Sequence, residues 1–254
     1  MSVIIKIKDQ DYFSFEEFAK NIYMYPDESY KLINSRKFLL MLKKENEAMY
    51  NSIIELRKSE TQEGAFIFKA QYVFCPLMEL KYYKAKYFTP EELGKRILNG
   101  APRIDIYIQE LIKYKLISYY MRIQGLDKLE PGFYKKIIDL EESFSYNEIR
   151  TYFKMGFILS KSKEIVYRRR KYSDVKAFFD VILSPAIITS FASDFEKDQY
   201  LFAWLEILGY EKELIKFDAI ISSVEEWEEK WWILKQNMKD GLIALALVMK
   251  IKSY

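Results

Sequence analysis

The sequence predicts a mainly α-helical protein: three tandem helical repeats of about 80 residues, stacked into one body and each opened by a short extended ribbon. A recurring helix start is the first sign. Tyr12-Phe13-Ser14-Phe15-Glu16-Glu17-Phe18 returns as Tyr87-Phe88-Thr89-Pro90-Glu91-Glu92-Leu93 and, more weakly, from Tyr172-Ser173-Asp174. Apolar stretches of helical period then follow each start in the same order, which chance rarely preserves. The units expected are 1–85, 86–170 and 171–254.

Each ribbon is short: Val3 to Lys8, Leu80 to Lys84 and Ile165 to Arg170, read as strands from alternation and from β-branched or aromatic residues. In the helix that follows, Ser14 and Thr89 stand three residues before Glu17 and Glu92, the spacing of a capping box, and Pro90 suits a first helical position. Ser173 is expected to cap the third. Lys37 to Leu42, Leu116 to Met121 and Tyr200 to Leu205 are the next apolar helical segments. After them Tyr50 with Ile53 and Ile54, Tyr134 with Ile137 and Ile138, and Phe217 with Ile220 and Ile221 each place an aromatic and an Ile pair on one helical face, the pattern of a core contact. Pro26, Pro76, Pro102, Pro131 and Pro185 fall where helices begin or end, and no Pro/Gly/Ser-rich linker divides the units, so they are expected to pack together. Val248 to Tyr254 resembles one more ribbon.

Composition narrows function. The chain has no His, which excludes Ser-His and Cys-His nucleophile pairs, an imidazole base and His-ligated metals. Its single Cys, Cys75, can form no intramolecular disulfide or CxxC pair and reads as a buried thiol. Neither GxGxxG nor GxxxxGK[ST] occurs, so the common phosphate-cradling loops are missing. Basic and acidic residues number 40 and 37, too close a balance for a dedicated polyanion binder. No apolar run of about 18 residues and no signal peptide is visible, so no membrane partner and a cytoplasmic location are expected. The Ser-x-x-Lys spacings at Ser160 and Ser173 are explained by structure, and the carboxylates Asp139, Glu141 and Glu142 lie on a helix that the repeat assigns to scaffold. No catalytic residue, metal site, cofactor or small-molecule substrate is indicated.

The run Phe15-Glu16-Glu17-Phe18-Ala19-Lys20 to Leu32, followed by Phe38-Leu39-Leu40-Met41-Leu42, resembles helical repeats of large bacterial multidomain proteins of poorly defined function, some of which carry Hsp70-like domains. The resemblance implies an accessory or scaffold module and transfers no functional residue.

Two surfaces stand out as candidates. Lys161, Lys163, Arg168, Arg169, Arg170 and Lys171 with Tyr167, and one unit earlier Lys81, Lys84 and Lys86, combine cations with tyrosines as single-stranded nucleic acid would require. A stack could align the two clusters into a stripe. The competing reading is that they are solvated ribbon faces whose charge deters edge pairing. Trp227 and Trp232, in the acidic segment Glu225-Glu226-Trp227-Glu228-Glu229-Lys230-Trp231-Trp232, are candidate anchors for a protein partner, although Trp227 and Trp231 share a helical face that would equally suit a core. The function expected is therefore non-enzymatic: a scaffold, adaptor or inhibitor that binds another protein. The alternative is an accessory subunit contacting RNA or DNA, in the context of a bacterial or phage defence or counter-defence complex.

Overall fold

The structure, a computed structural model, describes residues 4–83, 85–87, 89–145, 148–182 and 199–215. It is mainly helical. The described elements are β1 (Ile5–Ile7), β2 (Gln10–Tyr12), α1 (Phe15–Asn21), a 3-10 turn (Ile22–Met24), α2 (Pro26–Ile33), α3 (Arg36–Glu45), α4 (Glu47–Ser59) and α5 (Glu63–Phe74). Then come β3 (Leu80–Tyr82), β4 (Ala85–Tyr87), α6 (Pro90–Gly100), α7 (Ile106–Lys113), α8 (Leu116–Ile123), α9 (Leu126–Leu129) and α10 (Pro131–Ser143). The remainder are α11 (Glu148–Ser160), β5 (Ile165–Tyr167), β6 (Arg170–Tyr172), α12 (Val175–Ile182) and α13 (Gln199–Ile207). The chain divides into two compact units: the described residues of Met1–Leu93 with Asp105–Ser145, and those of Gly94–Ile104 with Tyr146–Tyr254.

Each ribbon proves to be an antiparallel hairpin. The expected strand is only its first half; the second comes from Gln10–Tyr12, Ala85–Tyr87 and Arg170–Tyr172. The register is the same three times, with Ile5 opposite Tyr12, Leu80 opposite Tyr87 and Ile165 opposite Tyr172. Two-residue turns close them. Lys8, Tyr83, Arg168 and Arg169 take φ of 51°, 52°, 47° and 67°, the left-handed region that such hairpin turns require and that Asn-Gly would adopt with less strain.

Capping chemistry fixes where the helices start. The Ser14 hydroxyl accepts from the Glu17 N–H at 3.0 Å while the Glu17 carboxylate accepts from the Phe13 N–H at 2.7 Å, and Thr89 accepts from the Glu92 N–H at 3.1 Å. The third start differs from expectation. Asp174, not Ser173, accepts from the Lys176 N–H at 2.8 Å, because α12 begins one residue later than the Ser-based alignment implies. Pro26 and Pro131 each occupy a first helical turn. In α4 and α10 the Ile pair splits, with Ile53 and Ile137 buried and Ile54 and Ile138 half-buried. The third member of that series, Phe217 to Ile221, lies outside the described residues, as does Val248 to Tyr254.

In the first unit α5 is the central helix. Ala65 to Phe68, Ala70 to Tyr72 and Phe74 are all buried, and α1, α2, α4 and α8 pack around it. A helix apolar on every side is stable only when surrounded, so α5 sets the arrangement of its neighbours. Phe74 meets Phe15, Phe18 and Phe38 with ring centroids 5.7–6.0 Å apart, and Phe68 meets Tyr72 and Tyr82 at 5.1 and 5.8 Å. Cys75 follows as a buried free thiol whose pKa is pushed up by burial.

In the second unit α11 has the same character: Thr151 to Phe153, Met155 to Phe157, Leu159 and Ser160 are buried, and α13 packs along it. Trp204, fully buried, packs against Phe178 at 5.3 Å and donates from Nε1 to the Lys163 carbonyl at 2.8 Å. Arg150 and Lys154 both pair with Glu206 at 2.9 Å. The helices α6 and α11 touch through glycine. A Cβ on Gly156 would lie 2.5 Å from Ile97 Cγ2, and one on Gly94 would lie 2.3 Å from the Ser160 backbone nitrogen. Gly156→Ala is therefore expected to lower unfolding stability by about 1–3 kcal/mol through overpacking, despite the better helix propensity of Ala; a urea denaturation midpoint unchanged from the parent would refute this contact.

Candidate functional site

The cationic residues of the third hairpin do not share one side of it. In a hairpin, alternate residues face opposite sides, and the register assigns each to a side. In β5 and β6 the buried side carries Ile165 and Tyr172, with Tyr167 and Arg170 opposite each other at its turn end, whereas Lys171 faces outward beside Val166. Arg168 and Arg169 form the turn and are exposed. The Tyr167 ring packs edge-on against Phe178 at 5.5 Å, with the Arg168 guanidinium 5.6 Å from its centroid. Lys161 is exposed just past α11 with φ 54°, and Lys163 is exposed with its carbonyl held by Trp204.

The second hairpin does bring two of its cations onto one side. Lys81 and Lys86 are direct cross-strand partners on the outward side, while Leu80, Tyr82 and Tyr87 are buried on the other. Helix α5 fixes this hairpin through two of its polar side chains: Gln71 donates to the Lys81 carbonyl at 2.8 Å, and the Tyr72 hydroxyl donates to the Glu79 carbonyl at 2.8 Å and accepts from the Lys81 N–H at 3.1 Å. Gln71 and Tyr72 were not among the expected site residues. Their signal is a Gln inside a mostly apolar, aromatic-rich run, which in a core demands a partner. Lys84, Trp227 and Trp232 lie outside the described residues.

A second concavity belongs to the helices of the same unit. A cavity of about 650 Å³ lies between α4, α5 and α8; Met49, Leu56, Val73, Tyr119 and Ile123 supply apolar lining, and Asn51, Ser52 and Glu55 supply polar groups. The Tyr119 ring has the Lys69 ammonium 5.3 Å and the Arg122 guanidinium 5.6 Å from its centroid. No helix among the described residues is long and apolar enough to cross a membrane.

One carboxyl group has a pKa raised into the neutral range, as a general acid or base would need. Glu141 Oε1 accepts from the Ile117 and Ser118 N–H groups, both at 3.1 Å, and so caps α8, whose preceding residue, Lys115, offers no side-chain cap. Burial pushes its pKa up to about 7 against the hydrogen bonding of Ser118 and Ile117 and the charge of Lys115, which pull it down. The group is 3% exposed and committed to two backbone donors, so its role is to anchor a helix end. No protein-family model, curated protein or solved structure matches the chain.

This geometry makes stability depend on pH. The folded chain keeps the Glu141 proton up to about pH 7, whereas an unfolded glutamate releases it near 4.5, so the folded state binds more protons between these values. Stability contributed by this group should fall as pH rises from about 4.5 to about 7 and level off above. Glu141→Gln, which keeps an acceptor oxygen without the charge, should match the parent near pH 5 and exceed it near pH 8 in urea denaturation. Glu141→Ala, which strands two buried N–H groups, should cost about 1–3 kcal/mol. A parent and Gln variant that differ equally at both pH values would contradict the assignment.

Proposed function

We propose that the chain is a non-enzymatic, cytoplasmic module of three helical repeats that binds another protein. Supporting the repeat reading are the three hairpins of identical register, each followed by a helix, and the parallel between α5 and α11, all-round-buried helices that each run into a hairpin. The resemblance to bacterial scaffold repeats points the same way.

The observation that carries the binding reading is the cavity between α4, α5 and α8. An apolar floor edged by amides, a hydroxyl and a carboxylate is the chemistry that receives the apolar face of a partner's amphipathic helix while its polar flank stays solvated. Ile123 and Met49 lie at this floor without belonging to the buried core, since Ile123 is 37% exposed and Met49 half-buried. They are therefore places where the surface can change without unfolding the unit.

Affinity capture of the tagged chain from its native host, with and without nuclease, tests this. A partner should survive nuclease and moderate salt, because apolar contacts are little screened. Ile123→Glu and Met49→Lys should each reduce its recovery at least about tenfold, a loss of roughly 1.4 kcal/mol, with unchanged circular dichroism. The second reading, contact with RNA or DNA, rests on the exposed Arg168-Arg169 turn. It requires instead that recovery collapse with nuclease or salt and that the groove variants be silent. Recovery unaffected by either groove variant would overturn the groove as the docking surface.

A further inference from the structure

The outward pair of each hairpin is a comparison made inside one chain. In the first hairpin Lys6 faces Asp11, with Nζ 3.9 Å from the carboxylate; in the second the same positions are Lys81 and Lys86. Like charges directly opposite in an antiparallel pair disfavour the strand pairing, and the first hairpin shows that this architecture does not call for them.

Their setting is concave. Lys81 and Lys86 line a pocket of about 410 Å³ with Lys20, Asn21, Leu77 and Met78. Lys81 is anchored at both ends: Gln71 and Tyr72 hold its backbone, and its ammonium donates to the Lys20 carbonyl at the end of α1 at 2.5 Å, which leaves two N–H donors. Burial, and then the Lys86 ammonium, hold its pKa below the usual lysine range. Lys86 is exposed and forms no ion pair among the described residues. The charge of Lys20 is met by Glu16 at 2.6 Å, and Glu79 is the single carboxylate in the lining. Two cations therefore face a cavity with one acid to balance them. Beside them Leu77 is 91% exposed, an apolar wall next to a cationic floor.

We propose that this pocket binds the phosphate of a small phosphomonoester of nucleoside-monophosphate size, with Lys81 and Lys86 on the phosphate oxygens and Leu77 against the apolar body of the ligand. A dianionic phosphate converts the repelling lysine pair into a favourable one and accepts the donors of both. The volume sits near the lower end of small-molecule sites. A polynucleotide would need cations spaced along a track, whereas here two cross-strand lysines line a single pocket.

The test is calorimetric titration of the full chain with adenosine monophosphate, inorganic phosphate and a short single-stranded oligoadenylate. Adenosine monophosphate should bind and weaken with salt, with inorganic phosphate competing more weakly. Lys86→Asp recreates the Lys6–Asp11 arrangement; it should weaken nucleotide binding at least about tenfold while the melting temperature holds or rises. Lys86→Gln should give an intermediate loss and serves as the decisive variant if Lys86→Asp melts lower. Ile123→Glu should leave nucleotide binding unchanged, which separates this site from the protein-binding groove. The proposal is overturned if neither adenosine monophosphate nor phosphate binds at millimolar concentration, if Lys86→Gln binds as the parent does, or if the oligonucleotide binds and the mononucleotide does not.

Discussion

The first unit depends on one helix being buried on every side. Helix α5 presents Phe66, Phe68, Phe74, Ile67 and two alanines around its circumference, so most of its surface must be covered. Four helices must close around it, and the two polar side chains it carries into that core, Gln71 and Tyr72, must find partners there. They find them on the backbone of the next hairpin. An apolar requirement thereby becomes a positional one: the hairpin that begins at Leu80 is located by hydrogen bonds from the core, not by its own two-stranded pairing, which at three residues per strand would be marginal in water. In the second unit the solution is similar in kind but uses a different residue. Trp204, arriving from α13, donates to the carbonyl of Lys163 just ahead of β5.

Once the hairpins are pinned from inside, their two faces separate in purpose. The inward face repeats an aliphatic residue opposite a tyrosine, and this is what the core sees. The outward face is free of that constraint, and it varies: Lys6 with Asp11, Lys81 with Lys86, Val166 with Lys171. The turns vary too, although all need a left-handed residue. Placing Arg168 and Arg169 both at positive φ accepts a strain of about 1–2 kcal/mol for each that Gly would relieve. Since neither the register nor the core calls for arginine there, surface chemistry is where the three hairpins differ from one another.

Much of the helical architecture was legible because its signals are local. Ser14 with Glu17 and Thr89 with Glu92 act within one helical turn, and Ile53 and Ile137 follow helical periodicity, so spacing suffices to find them. The hairpins were half-legible. Their turns carry Lys8-Asp9 or Arg168-Arg169 in place of Asn-Gly, so the second strand had no turn signal before it and read as the approach to a helix. The third cap was misplaced by one residue because Ser173 and Asp174 are both competent caps and only the backbone path chooses between them. The role of Glu141 could not be read at all, since its partners Ile117 and Ser118 lie more than twenty residues away and are reached only after α8 and α10 pack.

The two basic clusters differ in how the fold arranges their cations. Counting cations ranks the Lys161 to Lys171 segment first, yet strand alternation distributes those charges between the turn and both faces of its hairpin, and Tyr167 spends its ring on Phe178. The second hairpin has fewer cations but sets two of them side by side, above a core that holds the peptide of one in place. For recognition of a small anion, such pairing matters more than number, because two donors lining one pocket can act on the same charge while dispersed ones are screened separately by solvent. The informative comparison is available in the sequence itself: the same alignment that equates Tyr12 with Tyr87 and Lys6 with Lys81 equates Asp11 with Lys86, and a reversal of charge opposite a retained lysine marks where the scaffold stops dictating the residue.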